Sequence, residues 1–322
     1  MEEFAQTQDN PAGIDLVYLW VDGNDPKWQA RRNAFLGRPV EDKPTDCKGR
    51  YADNDELKYS LRSVEMYAPW IRRIFIVTDA QVPEWLDLSN PKIRIVDHTE
   101  IMPEVCLPSY NSSVIEHFLY KIPGLSERFL FANDDMFLNK PVSPETFYAE
   151  DGLPVIRVTY SRLRDWLLMF KKRVFGVPLK NYVRIIRNSA ELVRKKFGTY
   201  YNVKPHHNID AYLKSDCRRA ELMFEDEIGR TLSNHVRNED DIQRSLYTFV
   251  AIAEKRCHLL PVTQKTSFRF HIQNRKHYAK LKRYDPVFFC MNDSEYADDG
   301  DRARVKDFLA GRFPEKSQFE KP

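Results

Sequence analysis

Residues 129–138 read FLFANDDMFL: an apolar run, a carboxylate pair at Asp134 and Asp135, then a second apolar run. A strand that is apolar at every position is buried on both faces, as the strands of a parallel sheet are. Two adjacent acids repel each other and resist burial, so their place beside such a strand needs a reason. One reading is a tight turn between two strands, because Asn and Asp tolerate turn geometry. The other is a carboxylate pair at a strand's end, aimed at a divalent cation that carries phosphates. The decapeptide leaves both open.

The chain around it repeats the pattern. IDLVYLWVDG (14–23) is a β-prone apolar run that ends in Asp-Gly. NDELKYSLRSVEMYAPW (54–70) spaces Leu57, Leu61, Val64 and Tyr67 as a helix, with Asn54 placed to cap it and Pro69 to close it. IRRIFIVTD (71–79) reads as a strand, VPEWL (82–86) as a short helix, IRIVDH (93–98) as a strand and SSVIEHFLYKI (112–122) as a helix before RFLFANDD (128–135). Strands alternating with helices predict an α/β fold with a mainly parallel sheet flanked by helices. Asp22, Asp79, Asp97 and the Asp134/Asp135 pair all follow strands. In such sheets ligands sit outside the carboxyl ends of the strands. No GxGxxG and no Walker loop supplies a phosphate cradle.

Composition narrows the class. The chain has 322 residues, 42% hydrophobic and 13% aromatic, enough for a large core. No apolar run approaches the ~18–20 residues of a membrane span, and the acidic start MEEFAQTQDNPAG is not that of a signal peptide. Five scattered cysteines without CxxC spacing argue against a disulfide framework or a zinc site, so a cytoplasmic location is expected. Charge is uneven: residues 157–196 hold twelve Lys and Arg against Asp165 and Glu191, while the rest of the chain is net negative. That concentration points to an anionic partner. We expect one composite domain: 14–150 as a nucleotide-sugar half, 151–200 as a basic helical insertion, 201–300 completing the site, and 301–322 as a helix with a frayed tail.

Four clusters carry candidate chemistry. WVDGNDPKW (20–28) is an aromatic-flanked acidic loop that could stack a nucleobase and hold a ribose or metal, through Trp20, Asp22 and Asn24; it could equally be an ordinary Asp-Gly turn. DNDELKYSLRS (53–63) crowds Asn54, Asp55, Glu56, Lys58 and Arg62 into the start of a helix, where acids also suit the helix dipole. PHHNID (205–210) and HVRNEDD (235–241) offer His206 or His207 as a base or metal ligand and Arg237 as a phosphate clamp. CMND (290–293) ends an apolar run with a polar pair.

Together these blocks resemble the Stealth family of sugar-1-phosphate transferases, which includes bacterial capsule and cell-wall polysaccharide phosphotransferases. The resemblance is carried by DLVYLWVDGNDPKW (15–28), by 53–98 continuing through 107–142, by HHNIDAYL with HVRNEDDIQ, and by FFCMND, about two-thirds of the chain in the family's order. It implies a nucleotide-sugar-transferase-like fold of GT-A or Rossmann type. It also implies transfer of a hexose-1-phosphate from a UDP-sugar to a hydroxyl of an acceptor glycan, with release of UMP. For that chemistry His207 is the expected general base or transition-state donor, with His206 the runner-up; Asp55 and Glu56 match the acidic signature of the family's second block as a competing base or acceptor-orienting pair, and Arg237 and Arg62 are candidate phosphate clamps. Asp22 with Trp20, Asn24, Asn54 and Asn133 would bind substrate. Asp134, Asp135 and Asp293 would hold a divalent cation, Mg2+ or Mn2+. Two rivals stand: a conventional metal-dependent glycosyltransferase releasing UDP, and a carbohydrate-binding protein that has lost the chemistry. A nucleic acid is not expected, since the aromatic residues of 157–196 cluster with aliphatic ones rather than forming a stacking platform. That segment suits peripheral contact with the inner face of the membrane, where a lipid-linked acceptor would wait, or a solvated helical hairpin over the site.

Overall fold

The computed structural model describes residues 13–41, 46–160, 162–176 and 181–322, with the backbone alone at Arg162–Asp165, Leu168, Lys171 and Lys172. The acidic start of the chain, weighed above, and Lys180, one of the twelve basic residues of 157–196, lie outside the described residues.

The apolar runs form the strands they predict. In chain order come β1 (Ile14–Leu19), α1 (Pro26–Leu36), α2 (Glu56–Tyr67), β2 (Ile74–Thr78), β3 (Ile93–Asp97), the short turns α3 (His98–Ile101) and α4 (Ser112–Ile115), then β4 (Arg128–Asn133) and β5 (Met136–Leu138). After β6 (Val155–Tyr160) the basic segment supplies α5 (Arg162–Phe175) and α6 (Asn181–Phe197). The chain continues through β7 (Val203–Pro205), β8 (Asp210–Leu213), α7 (Lys214–Met223), α8 (Glu225–Gly229) and α9 (Ser245–Ala253). It closes with β9 (His258–Pro261), β10 (Ser267–His271), α10 (Arg275–Tyr284), β11 (Phe288–Asn292) and α11 (Asp299–Arg312).

The principal sheet has the order β3-β2-β1-β4-β8, parallel except for the antiparallel edge strand β8. Alternate side chains feed two cores, as the two-residue period of a strand requires. Val17, Phe75, Val77, Phe129 and Phe131 face a layer that includes Ile186, Ala190 and Val193 of α6 and Leu246, Phe249 and Val250 of α9. Leu16, Tyr18, Ile76, Leu130 and Ala132 face the other, with Leu57, Leu61 and Val64 of α2. Helices cover both faces, so the apolar runs need no polar side. Two small sheets flank the main one, β10-β11-β5 and β7-β6-β9.

Strand order reverses at β1, whose neighbours are β2 and β4. The carboxyl ends of β1 and β4 pair at Leu19 and Asn133, so the loop after Trp20 and the turn at Asp134–Asp135 open side by side. That is the crevice where such sheets bind ligands. The other edge acids are consumed locally: Asp97 caps α3 in a capping box with Glu100, and Asp79 meets Arg31 at 3.3 Å.

Three local expectations fail. Residues 82–86 form no helix; Pro83 leads into a turn, and Leu86 bridges to Glu320. The N-cap of α2 is Asp55 with φ 65°, not Asn54, and its side chain makes no cap bond. The tail is not frayed, since Phe313, Ser317, Phe319 and Glu320 are buried. Among the described residues no helix is long and apolar enough to cross a membrane.

Candidate active site

Two glycines bring the site loops together. A Cβ on Gly23 would lie 2.5 Å from the Tyr51 carbonyl oxygen, the group that accepts the Gly23 N–H at 2.6 Å. A Cβ on Gly49 would lie 2.5 Å from Asp293 Oδ1 and 2.7 Å from the Ser294 nitrogen. The loop 20–25, the segment 46–55 and the residues just past β11, Asp293 and Ser294, thus meet at contacts too close for a Cβ at Gly23 or Gly49. Asn24 stitches the first two further, its N–H donating to Asp22 Oδ1 at 2.8 Å and its amide to the Asp53 carbonyl at 3.2 Å.

The carboxylates face one another across this junction. Burial raises Asp134 well above the usual range, helped by Glu56, Asp135 and Asp53 beside it. Burial, then Asp55 and Asp22, pushes Asp53 up to about 6. Burial and Asp53 push Glu56 up to about 8, although the Asn54 N–H and amide donate to its two oxygens at 2.6 and 2.7 Å. A cluster that cannot ionise fully is a site built for positive charge.

Cations stand around it. Arg237 beside Arg50, and then burial, lower Arg50 to about 10, while Arg237 Nη2 donates to Ser112 Oγ at 2.8 Å. Two guanidinium groups held together suit a bound anion between or before them. Arg269 acts on Asp135, His207 and Cys290 together.

The two histidines differ. His206 Nε2 lies 2.9 Å from Asp210 Oδ1, its Nδ1 is 3.3 Å from Ser267 Oγ, and Asp210 in turn accepts from Arg244 at 2.7 Å. His207 Nδ1 is buried with no partner, and so is Asp135 Oδ1. Burial, then Arg269 and Arg244, hold His207 well below the usual imidazole range, so its ring is neutral. Asp135, His207 and Cys290 place ligand-type atoms within 4.8 Å of one another. Asp135 Oδ2 already accepts from Asn292 at 2.6 Å and from the Cys290 thiol at 3.4 Å. Tyr182 of α6 sets its ring edge against His207, centroids 6.0 Å apart, so the insertion walls the site.

Three expected residues point elsewhere. Arg62 clasps Glu320 with two 2.7 Å bonds and the Phe313 carbonyl with another, because α2 turns it toward the tail. Asp293 is taken by Arg302 at 2.8 Å and by the Ser294 N–H at 2.6 Å. Trp20 is buried in the core beneath α2 rather than exposed in the loop. Asp55 reaches Lys306 at 3.2 Å on the rim, and Asn133 donates its N–H to Met136 Sδ at 3.3 Å. The sequence reading missed Asp53, Arg50, Arg269 and Asn292. A charged residue alternating with aromatic ones in TSFRFHI was the available signal for Arg269.

Residues 13–39, 50–156 and 279–322, more than half of the chain, match conserved regions 1, 2 and 4 of the Stealth proteins. An exopolysaccharide phosphotransferase of Mycobacterium tuberculosis, CpsY, is 37% identical over 324 residues, which is 96% of this chain and 58% of the relative. The capsular polysaccharide phosphotransferase SacB of Neisseria meningitidis serogroup A is 33% identical over 98% of this chain and 58% of its own length. A Streptomyces coelicolor exopolysaccharide phosphotransferase is 35% identical over 96% of this chain and 52% of its own. The chain thus spans between half and three-fifths of the length of these relatives. The galactosyltransferase LgtC, solved with donor and acceptor sugar analogues, aligns with 94% of this chain and 98% of its own at a TM-score of 0.44 and 11% identity.

Proposed function

The chain belongs to the Stealth protein family, and from that premise we propose that it transfers a hexose-1-phosphate from a UDP-sugar to a hydroxyl of an acceptor glycan during capsular or cell-wall polysaccharide synthesis. The acceptor oxygen forms a bond to the β-phosphorus. The bond from that phosphorus to the bridging oxygen breaks, and UMP leaves with the electron pair. Such a transfer asks the protein chiefly for positioning and for charge against the phosphoryl oxygens. Arg50 and Arg237 would clamp the diphosphate, with Arg269 opposite. Asp22, Asn24 and Asn54 would position the nucleotide-sugar, and Asp53, Asp55 and Glu56 would orient the acceptor. His207 takes the acceptor's proton at Nδ1, a role that needs the neutral ring.

The observation that carries the reading is one junction. Asp135, His207 and Cys290 bring ligand-type atoms within 4.8 Å of one another, Nδ1 of His207 and Oδ1 of Asp135 are both buried without a hydrogen-bond partner, and the charges of Arg269 and of Arg50, the neighbour of Arg237, act on Asp135. A partnerless buried carboxylate oxygen also fits a divalent cation, Mg2+ or Mn2+. Asp134 and Asp135 would hold it as hard oxygen donors, and it would supply charge against the diphosphate. The 14–150 half would carry the donor, 201–300 would complete the site, and the 157–196 segment would bring the enzyme to the inner membrane face and a lipid-linked acceptor.

With UDP-sugar, acceptor and Mg2+ or Mn2+, the protein should release UMP stoichiometrically and yield a phosphodiester visible by 31P NMR. Release of UDP with a phosphorus-free product would instead establish a glycosyltransferase.

A further inference from the structure

We infer that α5 alone, not the whole basic segment, is an interfacial anchor that lays an apolar stripe on an anionic lipid bilayer. For what the docking serves, this rests on the reading of a lipid-linked acceptor; the docking itself stands on α5. The two helices of the segment look alike in sequence, but the fold treats them differently. Helix α6 turns Ile185, Ile186, Ala190 and Val193 inward and packs along α9. Helix α5 leaves Trp166 61%, Phe170 44%, Val174 53% and Leu167 42% exposed.

Those side chains form one surface. Trp166, Phe170 and Val174 recur every fourth residue, with Leu167 beside them, so they line a single face of the helix. The rings of Trp166 and Phe170 stack with centroids 5.5 Å apart, which makes the face continuous. Charge selects the occupant. The α5 sequence carries Arg162, Arg164, Lys171, Lys172 and Arg173 against Asp165 alone. An apolar stripe with Trp and Phe on a basic helix fits the boundary between acyl chains and anionic headgroups.

The chain on either side of α5 belongs to the site. Before it, Arg157 of β6 lies over the Phe288 ring, 4.8 Å from its centroid, and Phe288 meets His206 edge to face with ring centroids 6.1 Å apart. After it, Tyr182 meets His207. A bilayer that takes up α5 therefore holds an acceptor at its surface next to the residues proposed to use it.

The test sediments the full chain with vesicles of phosphatidylcholine alone and with phosphatidylglycerol added. The expected result is binding to the anionic vesicles at least tenfold above that to neutral ones, weakened by salt, and reduced at least tenfold in the double variant Phe170→Glu/Val174→Glu. Both positions are exposed, so circular dichroism should be unchanged and turnover on a soluble acceptor should match the parent. Equal negligible binding to both vesicles overturns the inference, as does binding that survives the double variant. A dimer in solution that the double variant dissociates overturns it too, by assigning the face to a second copy. Vesicle binding without phosphodiester formation would keep the anchor and reject the transferase reading.

Discussion

His206 holds its Nε2 2.9 Å from the Asp210 carboxylate as an ion-pair contact and its Nδ1 3.3 Å from Ser267 Oγ, whereas Nδ1 of His207 has no hydrogen-bond partner. His207→Ala should therefore lower turnover by at least ~10²-fold, the range of a lost general base, with an unchanged melting temperature. His206→Ala should instead lower the melting temperature, since it strips a partner from the buried Asp210–Arg244 pair. Steady-state kinetics beside thermal melts separate the two, and near-native turnover in His207→Ala would move the base elsewhere. Glu56 adds a pH signature. Its folded pKa, about 8, lies above the ordinary carboxyl value of about 4.3, so ionisation opposes the fold. Stability from this group is full below the unfolded value and is lost as pH rises through the folded one. Glu56→Gln cannot ionise, so its melting temperature relative to the parent, measured in EDTA, should climb between pH 5 and pH 8. A flat difference would show that Glu56 ionises freely.

Among the elements, the parallel strands and the helix α2 were legible because continuous apolar runs and a four-residue stripe are local signals. Of the two readings of Asp134–Asp135, the turn is what the fold shows: the pair joins β4 to β5 and opens at the crevice where strand order reverses, while its service to a cation stays part of the proposed function. The loop contacts were not legible, because Gly49 reveals its purpose only once Asp293 has arrived from the far end of the chain. Arg50 and Arg269 were hidden for the same reason: they sit on segments apart from Arg237, the one cation of the three that the sequence singled out, and no spacing joins them. Gly49→Ala forces its Cβ onto Asp293 Oδ1 and the Ser294 backbone, which must shift. We predict a loss of ~1–3 kcal/mol of stability, the scale of overpacking, with turnover falling further than stability. Denaturant melts and kinetics on the same preparation check this. Gly37 is the contrast: it ends α1 at φ 66° with open space around it, so Gly37→Ala should cost only about 1 kcal/mol and leave turnover intact.

Across the whole molecule, the last ten residues behave as a strap rather than an appendage. Phe313 joins the cluster of Phe137, Phe289 and Leu309, and Phe319 reaches the α2 side of the main sheet. Glu320 receives the two bonds of Arg62, and the Lys321 N–H donates to the Trp85 carbonyl at 2.9 Å. A polar, charged ending reads in sequence as a loose tail. What the pattern cannot reveal is that two aromatic residues six apart find separate cores and bring the carboxylate next to the second onto a half-buried guanidinium. Arg62 therefore acts as the strap's fastening, and it explains why a cation inside the most family-like block of the sequence lies outside the site. Losing a buried Phe typically costs ~3–5 kcal/mol, and two buried Phe side chains, Phe313 and Phe319, go together here, against a total stability of ~5–15 kcal/mol. Deleting residues 313–322 should therefore leave a protein unfolded or aggregated at 37 °C. Arg62→Met, which removes the charge and keeps the length, should lower stability by less than Glu320→Ala, which strands the cation, and should retain turnover within about threefold once corrected for the folded fraction. A loss beyond ~10²-fold in a folded Arg62→Met protein would return Arg62 to the phosphate; an unaltered melting temperature in the truncated chain would dismiss the strap.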